Sequence, residues 1–353
     1  MDTSVMITLG FLIFAIVMFA WEKIPLSITA MVVAVGLHLS GVLSAREAFA
    51  GFVDPNVLLF MGMFVIGEAF FATGVAVGVG NVVHKFAKTE TSLLVAVMMI
   101  TGILSGFLSN TGTAAVLIPV IIGICKKSGF KQTKLLMPLV FAAAMGGNIS
   151  LIGAPGNMIA QAGLQQAGLG SFNFFDYGLV GLPILIVGTI FYATIGKRFL
   201  PDAPSHQPDG AFEGNDDYSH VPSWKKWTAA IILILTVVAM IFEKQLGVKL
   251  YVSAWIGALV LVATNVISET AAVKSIDMKT IMLFAGSMAL GDAMVKTGTG
   301  SVIADIIVNS LGASPSPIVV LAVIFVLGVF MTNFMSNTAT CALLVPIGLS
   351  LAS

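Results

Sequence analysis

Ser109-Asn110-Thr111-Gly112-Thr113-Ala114 is a short polar stretch inside strongly apolar sequence, and the chain contains it twice. The second copy, Ser336-Asn337-Thr338-Ala339-Thr340-Cys341, lies 227 residues later, and each copy is followed at the same distance by a proline, Pro119 or Pro346. Upstream residues recur 224 positions later in the same way: Phe60, Gly62, Gly67, Glu68, Ala69, Thr73 and Gly74 become Phe284, Gly286, Gly291, Asp292, Ala293, Thr297 and Gly298. This duplication predicts a fold built from two repeats.

The composition places the chain in a lipid bilayer. Apolar residues make up 58% of it and charged residues 10%, and the mean hydropathy is +1.02. A soluble domain carries about 25% charged residues. Residues 4–21 are long enough to span and are followed by further spans, so we interpret them as a membrane helix and not as a cleaved signal. Cys125 and Cys341 match no disulfide or metal framework, and we interpret both as free thiols.

Hydropathy over a window of about 19 residues predicts membrane spans in both halves of the chain. The spans lie near residues 4–21, 26–44, 53–74, 135–165, 176–196, 227–243, 250–267 and 279–298. Two apolar hairpins, at 91–124 and from 316 to the end, are each broken at their Ser-Asn-Thr tripeptide. Gly146-Gly147-Asn148 and Gly153-Ala154-Pro155-Gly156-Asn157 interrupt the 135–165 span. We therefore expect an all-α polytopic membrane protein with a helix hairpin in each half.

A polar segment divides the chain into two predicted repeats. The first repeat covers 1–198, with scaffold spans in 4–90 and a hairpin with transport spans in 91–198. A polar cytoplasmic linker covers 199–224. The second repeat covers 225–353, with scaffold spans in 225–311 and a hairpin in 316–353. Each half has three spans before its hairpin, and the first half has two after it. Because five is odd, the second repeat is expected to be inverted in the membrane.

The distribution of basic residues supports this arrangement. If the N-terminus lies outside, thirteen of the 17 lysines and arginines fall in predicted inner loops and four in outer loops. Such a bias towards the inside sets the orientation of membrane proteins. We therefore expect a multi-pass protein of the cell (inner) membrane with its N-terminus outside.

The two helix breaks indicate a binding site near the membrane midplane. Inside hydrocarbon, irregular backbone is tolerated where it is buried in protein or lines a wet cavity. The N-termini of half-helices favour anions, whereas their C-termini and unwound carbonyls favour small cations. Neither hairpin contains Arg or Lys, so helix dipoles and amides would hold an anion. The alternative is that Ser-Asn-Thr only caps helices at a tight contact. Two copies at equivalent places favour a secondary active transporter.

These motifs resemble those of the divalent anion:sodium symporter family, within the wider ion transporter superfamily. The resemblance rests on the two Ser-Asn-Thr hairpins, the proline after each, and the Ile-Gly-x-Pro-x-Asn break that contains Gly153 and Asn157, and it covers nearly the whole chain. Where that family has Gly-Thr-Pro-Pro-Asn, this chain has Gly153-Ala154-Pro155-Gly156-Asn157. The counterpart of Asn157 in the second repeat would fall near position 384, so we expect that repeat to be incomplete, without its last two spans.

The resemblance implies both a function and a set of site residues. It implies sodium-coupled uptake of a small dicarboxylate such as succinate or malate, an elevator motion and a homodimer. Its substrate-binding residues correspond here to Asn110, Thr111, Ser336, Asn337 and Thr338. Its first sodium site corresponds to Ser105, Ser109 and Asn110 with backbone of the Gly153 loop, and its second to Thr332, the carbonyl of Met335, and Asn337. The expected partners are thus a small anion, Na⁺ as the coupling ion, and lipid.

Three other interpretations remain open. Glu68 and Asp292 are repeat-equivalent acids within apolar spans, so a sodium/proton antiporter or another inorganic-ion transporter of the superfamily is one alternative. In the simpler interpretation, both acids anchor the ends of their spans. A truncated, inactive membrane scaffold is another alternative. An intramembrane enzyme fits least, because no nucleophile and base pair stands out and the phosphate-loop, zinc-helix and nucleophile-elbow motifs are missing from the sequence. We expect no enzymatic activity and no nucleic-acid partner.

Overall fold

The fold is known from a computed structural model that describes residues 2–21, 23–78, 89–128, 130–201, 218–303, 306 and 316–352. Within those residues, the regular secondary structure is entirely helical. The all-α fold class expected from the composition is therefore confirmed. Most of the predicted linker, residues 202–217, and parts of the scaffold ranges, 79–88 and 307–311, lie outside the described residues.

The longer helices follow the apolar segments of the sequence. In chain order they are α1 Thr3–Trp21, α2 Leu26–Leu39, α3 Pro55–Ala72, α4 Glu90–Ser105, α5 Asn110–Ser128, α6 Thr133–Gly146, α7 Pro155–Gln166, α8 Gly178–Thr194, α9 Ser223–Ile241, α10 Leu250–Ala263, α11 Met278–Thr297, α12 Pro317–Met331 and α13 Asn337–Ala352. Short helices occupy Ala45–Ala48, Ala50–Val53, Gly196–Arg198, Tyr218–His220, Glu243–Leu246 and Glu269–Ser275.

Four of these helices are long and apolar enough to cross a bilayer on their own: α1, α3, α9 and α11. The other apolar helices are shorter. The breaks at both tripeptides and within 135–165 account for the lengths of α4, α5, α6, α12 and α13. The predicted span 26–44 ends early, at Leu39, where Gly41 adopts a φ of 76°. A left-handed glycine of this kind terminates a helix. His38 at this end is satisfied by the Leu43 carbonyl, 3.1 Å from its Nδ1.

The chain divides into two compact units, and each combines distant parts of the sequence. Unit 1 comprises residues 1–58, 158–171 and 277–353. Its core lies between α1, α2, α11 and α13, with Leu37, Phe284 and Ala339 fully buried. Helices α2 and α11 cross closely, since a Cβ at Gly286 would meet the backbone of Ala30. The second Ser-Asn-Thr tripeptide belongs to this unit.

Unit 2 comprises residues 59–157 and 172–276. Its core gathers buried side chains from α4, α5, α6 and α8 around Leu94, Leu139 and Leu185. Helices α4 and α6 touch backbone to backbone, because a Cβ at Gly146 would meet the backbone of Gly102; a Cβ at Gly102 would meet the side chain of Leu185 in α8. Helices α9 and α10 form a second pair in this unit. The first Ser-Asn-Thr tripeptide lies here, between α4 and α5. Division of the sequence into repeats 1–198 and 225–353 stays a prediction.

Candidate functional site

The first tripeptide separates two helices and caps the second. Helix α4 ends at Ser105 and α5 begins at Asn110. The Gly112 N–H donates to Ser109 Oγ at 3.1 Å, and the Thr113 N–H donates to the Ser109 carbonyl at 2.9 Å. Serine is a preferred N-cap because its hydroxyl accepts from an otherwise unpaired N–H of the first turn. The break predicted in the first hairpin is confirmed, and Ser109 is its cap.

The second tripeptide repeats this arrangement in unit 1. Helix α12 ends at Met331 and α13 begins at Asn337. The Ala339 N–H donates to Ser336 Oγ at 3.2 Å, and the Thr340 N–H donates to the Ser336 carbonyl at 3.0 Å. The same residue types at the same spacing thus produce the same local structure, as the repeated sequence predicts.

In both breaks, a hydroxyl at the end of the preceding helix, on its last residue or the residue just after it, contacts the asparagine that opens the next helix. Ser105 Oγ lies 2.6 Å from Asn110 Oδ1, and Thr332 Oγ1 donates to Asn337 Oδ1. Each hydroxyl stands five residues before its asparagine, so the contact crosses the unwound segment. The structure therefore brings together Ser105 with Asn110 and Thr332 with Asn337, two pairs that the prediction assigns to the two sodium sites.

Two backbone carbonyls complete a group of oxygen atoms around Asn110. Ser105 Oγ lies 2.7 Å from the Ala143 carbonyl oxygen. The carboxamide of Asn110 can face this group with either its nitrogen or its oxygen. With nitrogen inward, it donates to the Gly153 carbonyl at 3.1 Å, to the Ala143 carbonyl at 3.2 Å and to Ser105 Oγ at 2.6 Å. With oxygen inward, four oxygen atoms converge, and the Ser105 hydroxyl carries the one proton among them. They are Ser105 Oγ, Asn110 Oδ1 and the carbonyl oxygens of Ala143 and Gly153. We call these four groups the oxygen cluster.

The oxygen cluster fits a small hard cation. Uncharged hydroxyl, amide and carbonyl oxygens are ligands of such ions. With nitrogen inward, the Asn110 NH₂ satisfies the facing oxygens, and with oxygen inward a cation would take the place of those hydrogen bonds. Ser105 is fully buried and Gly153 is buried, whereas Asn110 is half-buried. The cluster is therefore shielded on the side of α4 and α6 and is partly accessible at Asn110.

Glycine lets the loop after α6 approach Asn110. A Cβ at Gly147 would lie against both terminal atoms of the Asn110 carboxamide. A Cβ at Gly153 would meet the carbonyl oxygens of Gly147 and Gly106. The interruption of span 135–165 that the sequence predicts thus provides a close backbone approach to the first tripeptide.

The same loop is anchored by a buried polar network. Asn157 Nδ2 donates to the carbonyls of Gly147 at 2.9 Å and Ser150 at 3.0 Å. Ser150 Oγ donates to the carbonyl of Gly106, which directly follows α4, and accepts from the Ile152 N–H at 3.3 Å. The Tyr177 hydroxyl donates to the Asn157 carbonyl at 2.8 Å. These bonds hold the loop against the end of α4.

The remaining predicted site residues surround the breaks. Thr111, Ser336 and Asn337 are exposed, Thr338 is half-buried, and the Met335 side chain is buried. Ser109, predicted as a sodium ligand, uses its hydroxyl oxygen as the helix cap. The sequence does not reveal the Ala143 carbonyl, because a backbone oxygen supplied by a neighbouring helix leaves no side-chain signature.

The two intramembrane acids lie in different surroundings. Glu68 is half-buried in α3 of unit 2. Asp292 is half-buried in α11 of unit 1 and lines a groove with Arg46, Glu47 and Lys296. Lys296 Nζ contacts the Glu47 carboxylate oxygens at 2.9 and 2.8 Å. Hydrogen bonds from Lys296 and then from the Ser44 N–H lower the pKa of Glu47 to about 2.

The helical fold and the apolar spans are those of a polytopic membrane protein. A family model described as "Citrate transporter" (CitMHS) matches residues 16–353. The chain belongs to this family, which falls within the divalent anion:sodium symporter group of the ion transporter superfamily. The members of this family are described as transporters and not as enzymes.

Individual relatives are also named as transporters. The chain is 33% identical over 211 residues to the uncharacterized transporter YfbS of Escherichia coli, an alignment that covers 60% of this chain and 35% of that protein. The chain thus spans about a third of that relative's length. It is 24% identical over 363 residues to the sodium-dependent dicarboxylate transporter SdcS of Staphylococcus saprophyticus, covering 92% of this chain and 69% of that one.

A solved structure supports the fold. The crystal structure of the Alcanivorax borkumensis YdaH transporter, described as having an unusual topology, superposes with a TM-score of 0.62 at 15% sequence identity. The match covers 98% of this chain and 82% of that chain. At this level of identity the likeness concerns the fold alone.

Proposed function

We propose that this protein is a secondary active transporter that couples sodium to the uptake of small dicarboxylates, such as succinate or malate, by an elevator mechanism. The observation that carries the proposal is the oxygen cluster at the first tripeptide, with its Ser105–Asn110 contact repeated as Thr332–Asn337. The Staphylococcus relative is named a sodium-dependent dicarboxylate transporter, which agrees with both the proposed ion and the proposed substrate class.

Sodium would be held by neutral oxygen ligands at each break. The first site would use Ser105, Asn110 and the Gly153 carbonyl, with Ala143 as an added carbonyl ligand and Ser109 at its edge as cap. The second would use Thr332, Asn337 and the Met335 carbonyl. Because these ligands are uncharged, bound sodium leaves a net positive charge beside each half-helix, which would favour the subsequent binding of an anion.

The anion would be held by amide dipoles and hydroxyls. Helices α5 and α13 begin at Asn110 and Asn337, and the first-turn N–H groups of a helix with its positive dipole end attract negative charge. Thr111, Ser336 and Thr338 would add hydroxyl contacts beside them. The hairpins 91–124 and 316–353 contain no Lys or Arg, so release of the substrate would not require breaking a strong ion pair.

The architecture proposed for this mechanism has two inverted repeats. The early spans of each repeat would form a fixed scaffold at a homodimer interface, and the hairpins with the later spans would move. The thirteen-to-four distribution of Lys and Arg supports an external N-terminus and a cytoplasmic segment 199–224. In this orientation the first hairpin opens to the cytoplasm and the second to the outside.

Thermal stability of the purified protein tests the proposal. A ligand at a hundred times its dissociation constant stabilises a folded protein by about 2.7 kcal/mol. We expect sodium, compared with choline, to raise the melting temperature, and succinate to raise it further in sodium alone. Asn110→Ala and Asn337→Ala should both remove the succinate shift, whereas Asn173→Ala, at an exposed loop asparagine, should retain it. Citrate and sulfate serve as alternative anions in the same assay.

The outcomes separate the proposal from its rivals. A succinate shift that is equal in choline and sodium would contradict sodium coupling. Stabilisation by citrate or sulfate, and not by succinate, would change the proposed substrate class but would leave the proposed binding site unchanged. The absence of any anion or sodium shift, in protein that is folded by circular dichroism, would favour a scaffold without transport activity.

A sodium/proton antiporter is the second candidate, and Asp292 is the observation that favours it. An ionisable side chain within a membrane span is a candidate for proton transfer. Asp292 lies in α11 beside the Glu47–Lys296 ion pair. This candidate predicts sodium-driven proton movement in vesicles without any organic anion, and loss of that movement in Asp292→Asn. Sodium-dependent succinate uptake that persists in Asp292→Asn would rule it out.

A further inference from the structure

One buried carboxamide organises the loop that supplies a carbonyl to the oxygen cluster. Asn157 is 6% exposed, and its Nδ2 makes two hydrogen bonds to carbonyls on opposite sides of the loop, Gly147 at 2.9 Å and Ser150 at 3.0 Å. A side-chain NH₂ has two protons, so both donors are used. The residue lies at the start of α7 and outside the oxygen cluster itself.

The two carbonyls held by Asn157 adjoin the cluster. The Cα of Gly147 packs against the Asn110 carboxamide, and the Gly147 carbonyl packs against the Cα of Gly153. The Gly153 N–H donates to the Ser150 carbonyl at 3.4 Å. Gly153 is therefore fixed on both sides by groups that Asn157 binds, and its own carbonyl is left to face Asn110.

A second contact ties this loop to the other half of the cluster. Ser150, which is fully buried, donates from Oγ to the Gly106 carbonyl, and Gly106 directly follows the cluster residue Ser105. This bond ties the loop to the end of α4. The distance between the Gly153 carbonyl and Ser105 Oγ is set by this chain of bonds.

We propose that Asn157 is a positioning residue that sets the affinity and the ion selectivity of the oxygen cluster. This inference rests on the sodium site proposed above. Without the carboxamide, the Gly147 carbonyl loses its side-chain donor and the Ser150 carbonyl keeps only the long bond from the Gly153 N–H, so both carbonyls reorient to find other donors. Gly153 then shifts relative to Asn110, and the cluster loses the spacing that distinguishes Na⁺ from the smaller Li⁺. Outer residues that orient metal ligands change metal affinity by about 10- to 100-fold when they are replaced.

Sodium and lithium titrations of Asn157 variants test this inference. The melting temperature of the purified chain is followed against NaCl or LiCl, with choline chloride keeping the ionic strength constant. We expect the half-saturating sodium concentration to rise at least about tenfold in Asn157→Ala. Asn157→Ser keeps one short donor and should give a smaller rise. The ratio of the lithium to the sodium midpoint should fall in both variants.

Tyr177→Phe is the matched control. It removes the hydrogen bond to the Asn157 backbone carbonyl and leaves the carboxamide bonds in place. We expect a lower melting temperature in choline but a sodium midpoint within about twofold of the unmodified chain. If Asn157→Ala does not fold, Asn157→Ser decides the outcome.

The results separate this inference from the function on which it rests. If the unmodified chain shows no sodium stabilisation, the proposed sodium site fails. If it does, and the Asn157 variants keep its sodium midpoint and its lithium-to-sodium ratio while melting lower in choline, Asn157 only supports the fold and the inference is overturned.

Discussion

The two Ser-Asn-Thr breaks have the same local structure but different surroundings. At the first break, α4 is buried by α6 and α8, with Leu94 and Met98 among its buried residues. At the second, α12 packs against α13, and it contributes no buried residue within the described part of the chain. The caps and the hydroxyl–asparagine contacts therefore do not need this packing. The two carbonyls of the oxygen cluster do depend on this packing, because Ala143 lies in α6 and Gly153 in the loop that follows it.

The largest expected effect concerns the packing that the first break has and the second lacks. Gly146→Val places a side chain against the backbone of Gly102, which cannot move aside within α4. We expect a loss of stability of about 3 kcal/mol, at the upper end for an overpacked core, measured by denaturation in detergent. Val329, the repeat counterpart of Gly102, is 51% exposed.

Val329→Ala provides the control for this prediction. Because the side chain is exposed on α12, its truncation should change stability by no more than about 0.5 kcal/mol. A large loss in Val329→Ala, or tolerance of Gly146→Val, would show that the two breaks are packed more similarly than the structure indicates.

The next effect concerns the hydroxyls of the two breaks. Ser105→Ala removes a buried hydroxyl hydrogen bond to the Ala143 carbonyl, which keeps its Gly147 N–H donor, so we expect a loss of about 1–1.5 kcal/mol. Thr332→Ala removes a hydroxyl that contacts the exposed Asn337, where water can substitute, so we expect a loss below about 1 kcal/mol. Both are measured from melting curves in choline chloride. Equal losses in the two variants would contradict the difference in burial.

A third effect should be equal at the two breaks. Ser109→Ala and Ser336→Ala each remove a helix N-cap, and such a change costs about 1 kcal/mol. The measurement is again the melting temperature in choline chloride, where ion binding does not contribute. If one serine matters much more than the other, its cap depends on tertiary packing and is not a local property of the tripeptide.

These comparisons explain how much of the molecule the sequence predicts. Helix positions follow from apolar length, and the breaks follow from the polar tripeptides, because both are local properties. The pairing of Ser105 with Asn110 and of Thr332 with Asn337 is implied by the family resemblance of the motifs. The Ala143 carbonyl could not be predicted, since it reaches the cluster through the crossing of α4 with α6 at Gly102 and Gly146, and the sequence shows glycines without showing what they face.

The smallest expected effect is a difference between the two units in how their stability depends on pH. The lowered pKa of Glu47, about 2 against 4.5 for an unperturbed glutamate, favours the folded state above pH 4.5. This contribution is lost as the pH falls from about 4.5 to about 2, because the unfolded chain then binds the proton more readily. Glu47 belongs to unit 1, which contains the second break, so acid should loosen that unit before unit 2.

Hydrogen exchange measured at pH 6 and pH 3 tests this difference. Amides of α11 and α13 should lose protection at the lower pH, after correction for intrinsic exchange, while those of α4 and α6 should retain it. Lys296→Gln removes the cation that lowers the Glu47 pKa and should reduce the difference between the two pH values. The pair is exposed and screened by salt, so the effect should also shrink at high ionic strength. An equal loss of protection in both units would mean that acid acts through groups other than Glu47. The regions around the two breaks would then have the same stability towards acid despite their different packing.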